Sequence, residues 1–299
     1  MNGVLVVDKP AGITSHDVVA VARRALNERG IGHTGTLDPM ATGVLPLAIG
    51  KATRLVRFLT ASDKDYDAVI RFGRATDTYD ATGTTTSESP QRPTRTALEI
   101  GLLALNGTYD QMPPPYSAKK VGGHRAYTLA RREEPVELQP APVTVSRAVL
   151  TAVDDDTASE SITCSSGFYV RSFAHELGRR LGCGACLEAL RRTRSGTSTL
   201  SGAVTLAELG AASAAEALAC RLVPCRDVLP DFPIVQLNEQ GLAYVSNGRD
   251  LGAAQLACPV TLTAGTAWVR LVDTGGSLVA LAEPDAASGT LHPSIVLLS

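Results

Sequence analysis

The sequence predicts an α+β protein in two parts, a large domain over residues 1–230 and a small β-rich domain over residues 231–299. Three observations point there. Through the first part, segments with period-two alternation are mixed irregularly with segments of helical period. Beyond about residue 231, short apolar runs at 259–263, 267–272 and 278–282 are separated by Gly-rich turns. The charge balance changes at the same place, with net −4 over 231–299 and net +2 over 1–230. The 299 residues, 44% hydrophobic and 19% charged, are ample for a sizeable core. No run approaches the ~18 apolar residues of a membrane span. Asp8 follows only five apolar positions, so the N-terminus reads as a buried strand and not as a signal peptide. Six cysteines in a chain of this length do not form a disulfide scaffold, and they read as reduced thiols of a cytoplasmic protein.

Residues 3–7 predict a buried strand. Ser15 can cap a helix over about 16–27, with Val18, Val19, Ala22 and Leu26 at helical spacing. Residues 32–43 are a Gly- and Thr-rich loop. Residues 44–49 are apolar, but Pro46 argues against a central strand position. Lys51 to Leu59 fits a short helix. Tyr66 to Phe72 alternates, with Ala68, Ile70 and Phe72 on one face, and so predicts a strand. Residues 76–93 read as loop. Thr96 to Glu99 has the form of a capping box, opening a helix with Leu98, Leu102 and Leu105 as its buried stripe and Gly107 as its stop. Residues 112–142, bounded by prolines, carry Lys119, Lys120, Arg125, Arg131 and Arg132 around a Gly122-Gly123 hinge. Such an excursion fits either a mobile binding loop or a solvated charged helix. Strand-like residues follow at 143–153 and 160–164. An aromatic strand around 167–170 runs into a helix at about 172–181, and a second short helix precedes Arg191, Arg192 and Arg194. Residues 211–222 fit an alanine-rich helix.

The stretch with the most chemistry is Gly32-His33-Thr34-Gly35-Thr36-Leu37-Asp38-Pro39-Met40-Ala41-Thr42-Gly43. Glycines allow tight turns and close approach to a ligand, and Pro39 biases Asp38 away from helix. The loop therefore holds one carboxylate at a defined angle, which alone also fits an ordinary turn. Gly43 to Ala52 only superficially resembles a nucleotide P-loop, since six residues separate the glycines where four are needed and Ala52 replaces the Mg²⁺-binding Ser or Thr. Cys183-x₂-Cys186 with Cys220-x₄-Cys225 is a weak zinc pattern, and no metal is expected. Between Arg171 and Arg194 six arginines face Glu176 and Glu188, the densest basic cluster of the chain and a candidate polyanion surface. An ionised Asp38 could be aimed by a nearby arginine such as Arg171, and a tyrosine such as Tyr66 could stack on a planar ligand.

The twelve-residue loop, continued by Val44-Leu45-Pro46, closely resembles the signature of the bacterial TruB family of tRNA pseudouridine synthases. The resemblance extends to Asp8-Lys9-Pro10-Ala11-Gly12, Asp63-Lys64-Asp65-Tyr66, Thr76 to Gly83, Pro113 to Lys120, Gly167 to Ser172 and Leu187 to Arg192, in family order over about residues 3–194. It implies a catalytic domain around a mixed, largely antiparallel sheet, with 112–142 as an inserted thumb loop and 231–299 as a small PUA-like RNA-binding domain. It also implies isomerisation of uridine 55 in the T arm of tRNA to pseudouridine, by base flipping and without cofactor or metal, in a cytoplasmic monomer.

The resemblance further implies Asp38 as the aspartate needed to break the N-glycosidic bond, by attack on the sugar or addition to the base. Tyr66 matches the stacking tyrosine, suspected of removing the C5 proton. Arg171 matches the arginine paired with the aspartate, and Asp80 an acidic partner of that arginine. His33, Tyr169 and Leu190 match substrate-contacting positions, and Lys9 and Pro10 match a motif that supports the loop; Lys119, Lys120, Arg125 and the Arg179 to Arg194 cluster would then meet the RNA phosphates. Cys186 stands where some relatives carry histidine. A non-catalytic tRNA-binding or folding protein on the same scaffold is the rival reading; an intact Asp38, Tyr66 and Arg171 favours the enzyme.

Overall fold

A computed structural model describes residues 1–117, 120–121, 124–125, 138–211 and 218–298. In chain order the elements are β1 (Gly3–Lys9), α1 (Ser15–Ala25), β2 (Ile31–His33), β3 (Thr42–Ile49), a 3₁₀ turn (Gly50–Leu55), α2 (Val56–Thr60), β4 (Lys64–Phe72), β5 (Arg74–Thr76), β6 (Thr85–Glu88), α3 (Arg95–Leu103) and β7 (Gly107–Gln111). Two short strands follow, β8 (Lys120–Val121) and β9 (His124–Arg125), then β10 (Ala141–Val153), β11 (Thr157–Cys164), α4 (Val170–Arg180), β12 (Ala185–Ser195), β13 (Ser198–Thr199), β14 (Val204–Thr205), α5 (Leu206–Gly210) and β15 (Val223–Pro224). The last part holds β16 (Ile234–Gln236), α6 (Glu239–Ser246), β17 (Val269–Val272), β18 (Leu278–Asp285) and β19 (Thr290–Val296).

An 11-stranded sheet in the order β14-β1-β3-β12-β4-β11-β10-β7, with β2, β13 and β15 paired alongside, organises the first part. It is mixed and largely antiparallel, with parallel pairs at β1/β14 and β3/β12. β1 and β3 are buried along nearly their whole length, because Leu5, Leu45 and Leu47 pack into the main core while Val4 and Ala48 pack into a second cluster on the other face. Such strands read as continuous apolar runs. β4 alternates instead, burying Lys64, Tyr66, Ala68, Ile70 and Phe72. The core is completed by Val18, Val19 and Ala22 of α1, Leu98 and Leu102 of α3, and Phe173, Ala174 and Leu177 of α4.

Several sequence expectations are corrected. Pro46 does lie inside the sheet, opposite Val6 of β1. Its carbonyl accepts from the Thr34 N–H, on the side where β3 passes from β12 to β2. A residue's N–H and C=O point the same way in a strand, so the missing donor costs no bond to β1. α1 is capped by Thr14, not Ser15, in a capping box with Asp17. α3 is capped by Thr94, not Thr96, and Gly107 opens β7 at φ 98°. Residues 76–93 include β6, which pairs with β5 in a hairpin, and 167–169 are not strand.

The expected second helix after Gly182 is the 11-residue strand β12, inserted between β3 and β4. A bulge at Glu188 makes Leu187 pair with Ile70 and Ala189 with Val69. It puts Leu187 and Leu190, three residues apart, on one buried face and so imitates a helical stripe. Beyond residue 231, 259–263 is not strand, and α6 was not foreseen. The strands of 234–296 form a separate four-stranded sheet, β16-β17-β18-β19, with its own core around Val235, Leu271 and Ala280. Most of the 112–142 excursion and half of the 211–222 segment lie outside the described residues.

Candidate active site

Asp38 sits on a loop fastened from three sides. The buried Lys9 ammonium donates to the carbonyls of Pro10, Pro39 and Ala41 at 2.9, 3.3 and 2.6 Å. Ser15, first residue of α1, accepts from the Leu37 N–H at 2.9 Å and donates to the Leu37 carbonyl at 3.1 Å. Arg192 of β12, only 1% exposed, donates through Nε to the Val44 carbonyl at 2.7 Å and through Nη2 to the Gly35 carbonyl at 3.1 Å. Gly43 is required where β3 crosses β12. Its φ is 101°, and a Cβ there would stand 2.2 Å from the Arg192 carbonyl oxygen.

Arg171, in the first turn of α4, reaches this loop. Its Nε lies 2.8 Å from Asp38 Oδ2, and Nη2 donates to Oδ1 at 3.2 Å. The same guanidinium donates to the Tyr116 carbonyl at 2.9 Å and the Thr78 carbonyl at 3.0 Å. Its Nη1 is 3.6 Å from Asp80 Oδ2. Arg171 and Asp80 side chains are 6% and 7% exposed, whereas Asp38 is 35% exposed. The buried cation is thus neutralised by two carboxylates, and only Asp38 keeps access to a ligand.

A cavity of about 310 Å³ adjoins them, lined by Asp38, Tyr66, Arg171, Leu190, Tyr169 and Arg192 among others. It is large enough for one nucleoside. Tyr66 and Arg192 are directly cross-strand partners. Burial pushes the Tyr66 phenol up from its ordinary range, against the opposing charge of Arg192. Tyr169 is fixed by Gln111, whose Oε1 accepts from the Tyr169 N–H at 2.8 Å and whose Nε2 donates to its carbonyl at 3.1 Å.

Asp38, Tyr66, Arg171, Tyr169 and Leu190 are therefore brought together, with Asp80 behind Arg171. His33 does not line this cavity; its ring stands edge-on to His16, with centroids 5.5 Å apart. Lys119 and the Lys120 side chain lie outside the described residues. The arginines of 179–194 are engaged within the protein: Arg179 and Arg180 with Glu176, Arg191 with Asp8, Arg194 with Asp65. Arg192 is too buried to meet a phosphate, which corrects its placement in a polyanion surface. The sequence reading missed Arg192, Lys64 and Gln111 as parts of the site; Lys64 and Arg192 stood in the Asp63-Lys64-Asp65-Tyr66 and Leu187 to Arg192 blocks, but the register that joins these two strands needed the bulges. Among the described residues no cluster of His, Cys, Asp and Glu could hold a metal, and no helix is long and apolar enough to cross a membrane.

The sequence models of two domains match the chain: the TruB family pseudouridylate synthase N-terminal domain over residues 23–170 and the tRNA pseudouridylate synthase B C-terminal domain over 171–229. tRNA pseudouridine synthase B of Solibacter usitatus is 44% identical over 298 residues, covering 99% of this chain and 100% of that protein. The enzyme of the same name from Thermobifida fusca is 42% identical, covering 99% and 98%. Among solved structures, a Cbf5-Nop10-Gar1 complex superposes with TM-score 0.75 at 25% identity, over 99% of this chain and 85% of the matched one. A substrate-bound H/ACA RNP gives TM-score 0.74 at 24% identity, a likeness of fold. With an aspartate–arginine pair at a nucleoside-sized cavity and family matches over residues 23–229, this chain belongs to the TruB family of pseudouridylate synthases.

Proposed function

We propose that the protein converts uridine 55 in the T arm of tRNA to pseudouridine, with Asp38 as the group that breaks the N-glycosidic bond. The observation that carries this is the Asp38–Arg171 pair at 2.8 Å, opening on a cavity that Tyr66 also lines. The curated relatives named above as tRNA pseudouridine synthases support tRNA as the substrate.

The chemistry fits the residues. A uridine stacked in a folded T arm must leave its stack, at a cost of a few kcal/mol. Stacking on the Tyr66 ring offsets roughly 1–3 kcal/mol of that. Arg171 aims Asp38 by holding both of its carboxylate oxygens while the bond from C1′ to N1 breaks. The freed base turns within walls that include Leu190 and rejoins through C5. The C5 proton is lost and N1 gains one, so the reaction consumes no water and needs no redox or metal cofactor. Burial holds the Tyr66 phenol protonated. Its first part is therefore the ring face; as a base it takes the C5 proton while passing its own phenolic proton on to N1, so that it ends protonated as it began. Lys119 and Lys120 are assigned to RNA phosphates, residues 112–142 to a thumb over the RNA, and the sheet of 231–299 to a PUA-like unit of a monomeric enzyme.

Mapping of pseudouridine in unmodified tRNA and in a T-arm stem-loop tests this. Wild-type protein is expected to modify the T-arm uridine, and Asp38→Asn to bind the same RNA without forming product. Full activity of Asp38→Asn overturns the assignment of Asp38. RNA binding by the wild type without product would instead favour a tRNA-folding protein on this scaffold.

A further inference from the structure

The loop that carries Asp80 to Arg171 contains a backbone anomaly that the reaction above leaves unused. Tyr79 adopts φ 64°, in the left-handed region. Asn27, at φ 47°, is the other non-glycine residue there among the described residues. Asparagine tolerates that conformation, whereas a bulky aromatic residue holds it only when its surroundings enforce it. One enforcing contact is plain. The Tyr79 ring stacks on His175 with centroids 3.8 Å apart and planes 12° from parallel. His175 lies one helical turn after Arg171 on α4, so both side chains leave the helix on the same side.

The loop has few ways to move otherwise. The Tyr79 carbonyl accepts from the Leu187 N–H of β12 at 3.0 Å, and the Ala81 N–H donates to the Leu187 carbonyl at 2.9 Å. Asp80 Oδ1 accepts from Thr78 Oγ1, the Thr82 N–H and Thr82 Oγ1 at 2.9, 3.0 and 2.6 Å, which leaves Oδ2 to face Arg171. The stack ties this loop to α4 directly, the strand contacts only to β12. His175 Nδ1 is buried without a hydrogen-bond partner among the described residues, and burial pulls the imidazole below its ordinary pKa. The ring serves as a neutral flat face and not as a proton carrier.

We infer that the Tyr79–His175 stack is a positioning clamp: it locks the left-handed loop against α4, so that the Thr78 carbonyl and the Asp80 carboxylate hold Arg171 in the orientation that presents Asp38. This rests on the proposed roles of Asp38 and Arg171. The clamp acts on the chemical step and not on RNA affinity, because neither ring lines the cavity.

The test measures single-turnover pseudouridine formation on a T-arm stem-loop, together with the dissociation constant of that RNA and thermal unfolding of each protein. His175→Ala and Tyr79→Gly are expected to slow the chemical step about 10- to 100-fold while RNA affinity stays within about twofold. Tyr79→Gly removes the ring and the backbone strain together, so its fold is retained even if His175→Ala proves unstable. His175→Phe, which restores a flat face, is expected to recover most of the rate lost in His175→Ala. In an Asp80→Asn background, Tyr79→Gly is expected to add less than about threefold, since both changes act through Arg171. Wild-type rates in both single variants, weakened RNA binding with an unchanged rate, no recovery in His175→Phe, or full additivity with Asp80→Asn would each overturn the clamp. Absence of product with the wild type, or normal product with Asp38→Asn, overturns the functional reading and the clamp with it. An active wild type and inactive Asp38→Asn beside unaffected stack variants overturn the clamp alone.

Discussion

Lys9 and Lys64 sit at the two ends of the site as buried ammonium groups facing carbonyl oxygens. Lys9 gathers Pro10, Pro39 and Ala41, and Lys64 donates to Thr60 at 2.6 Å and to Ser62. Burial lowers each to about 8 from 10.5; the Asp38 charge partly opposes this at Lys9. Between pH 8 and 10.5 the unfolded chain thus keeps protons that the folded chain has released. The stability linked to these two groups is lowest below pH 8 and rises through that window. ¹⁵N NMR of the lysine Nζ atoms should show two groups titrating near 8, one of which disappears in Lys9→Met. The other sensitive position is Gly43. A side chain there meets the Arg192 backbone in a left-handed conformation, so Gly43→Ala is expected to cost about 1–3 kcal/mol or more, read as a lowered Tm.

β12 is the element on which the site depends. Its Leu190 and Arg192 stand opposite Ala68 and Tyr66, and Arg192 fixes the backbone of the Asp38 loop from beneath. Arg192→Met leaves the Gly35 and Val44 carbonyls without that donor. It is expected to destabilise the fold by about 2–4 kcal/mol in denaturant unfolding. β12 was also the element least legible in the sequence. Its two bulges, at Glu188 and Thr193, break the period-two pattern, and its arginines look like a surface cluster because sequence does not reveal that Asp8, Asp65 and the loop carbonyls receive them. β4 and β11 were readable because one face is buried and the other is not. The Gly/Thr loop around Asp38 was readable because its chemistry is local. The meeting of Asp38 with Arg171 was not, since 133 positions separate them and only the sheet order closes that distance. The caps were misplaced by one and two residues because Thr14 and Ser15, like Thr94 and Thr96, are chemically equivalent cap candidates until packing chooses between them.

At the scale of the whole molecule, the C-terminal sheet is seated on the first part through α2 and the turn before it. Leu55 joins Val272, Leu278, Leu281 and Leu297 in one buried cluster. Phe58 meets Phe232 and Trp268 edge-on at 5.5 and 5.0 Å, and the Arg57 guanidinium lies 4.9 Å from the Trp268 ring. Trp268 is the chain's single tryptophan, so its emission reports on this junction directly. Phe58→Ala is expected to shift that emission to the red and to destabilise the protein by about 1–3 kcal/mol, seen as an earlier fluorescence-monitored unfolding midpoint. The large sheet has one more consequence. β12 is its last long strand in sequence, yet it fills the gap between β3 and β4. A nascent chain that has reached only residue 184 carries two half-sheets with open edges, no Leu190 wall and no Arg192 beneath the loop. Synthesis order therefore makes the emerging enzyme both inert and adhesive until a single late segment slides into the seam. The step that completes the cavity is the same step that closes the open edges of β3 and β4, so the site and the seam of the sheet are finished together.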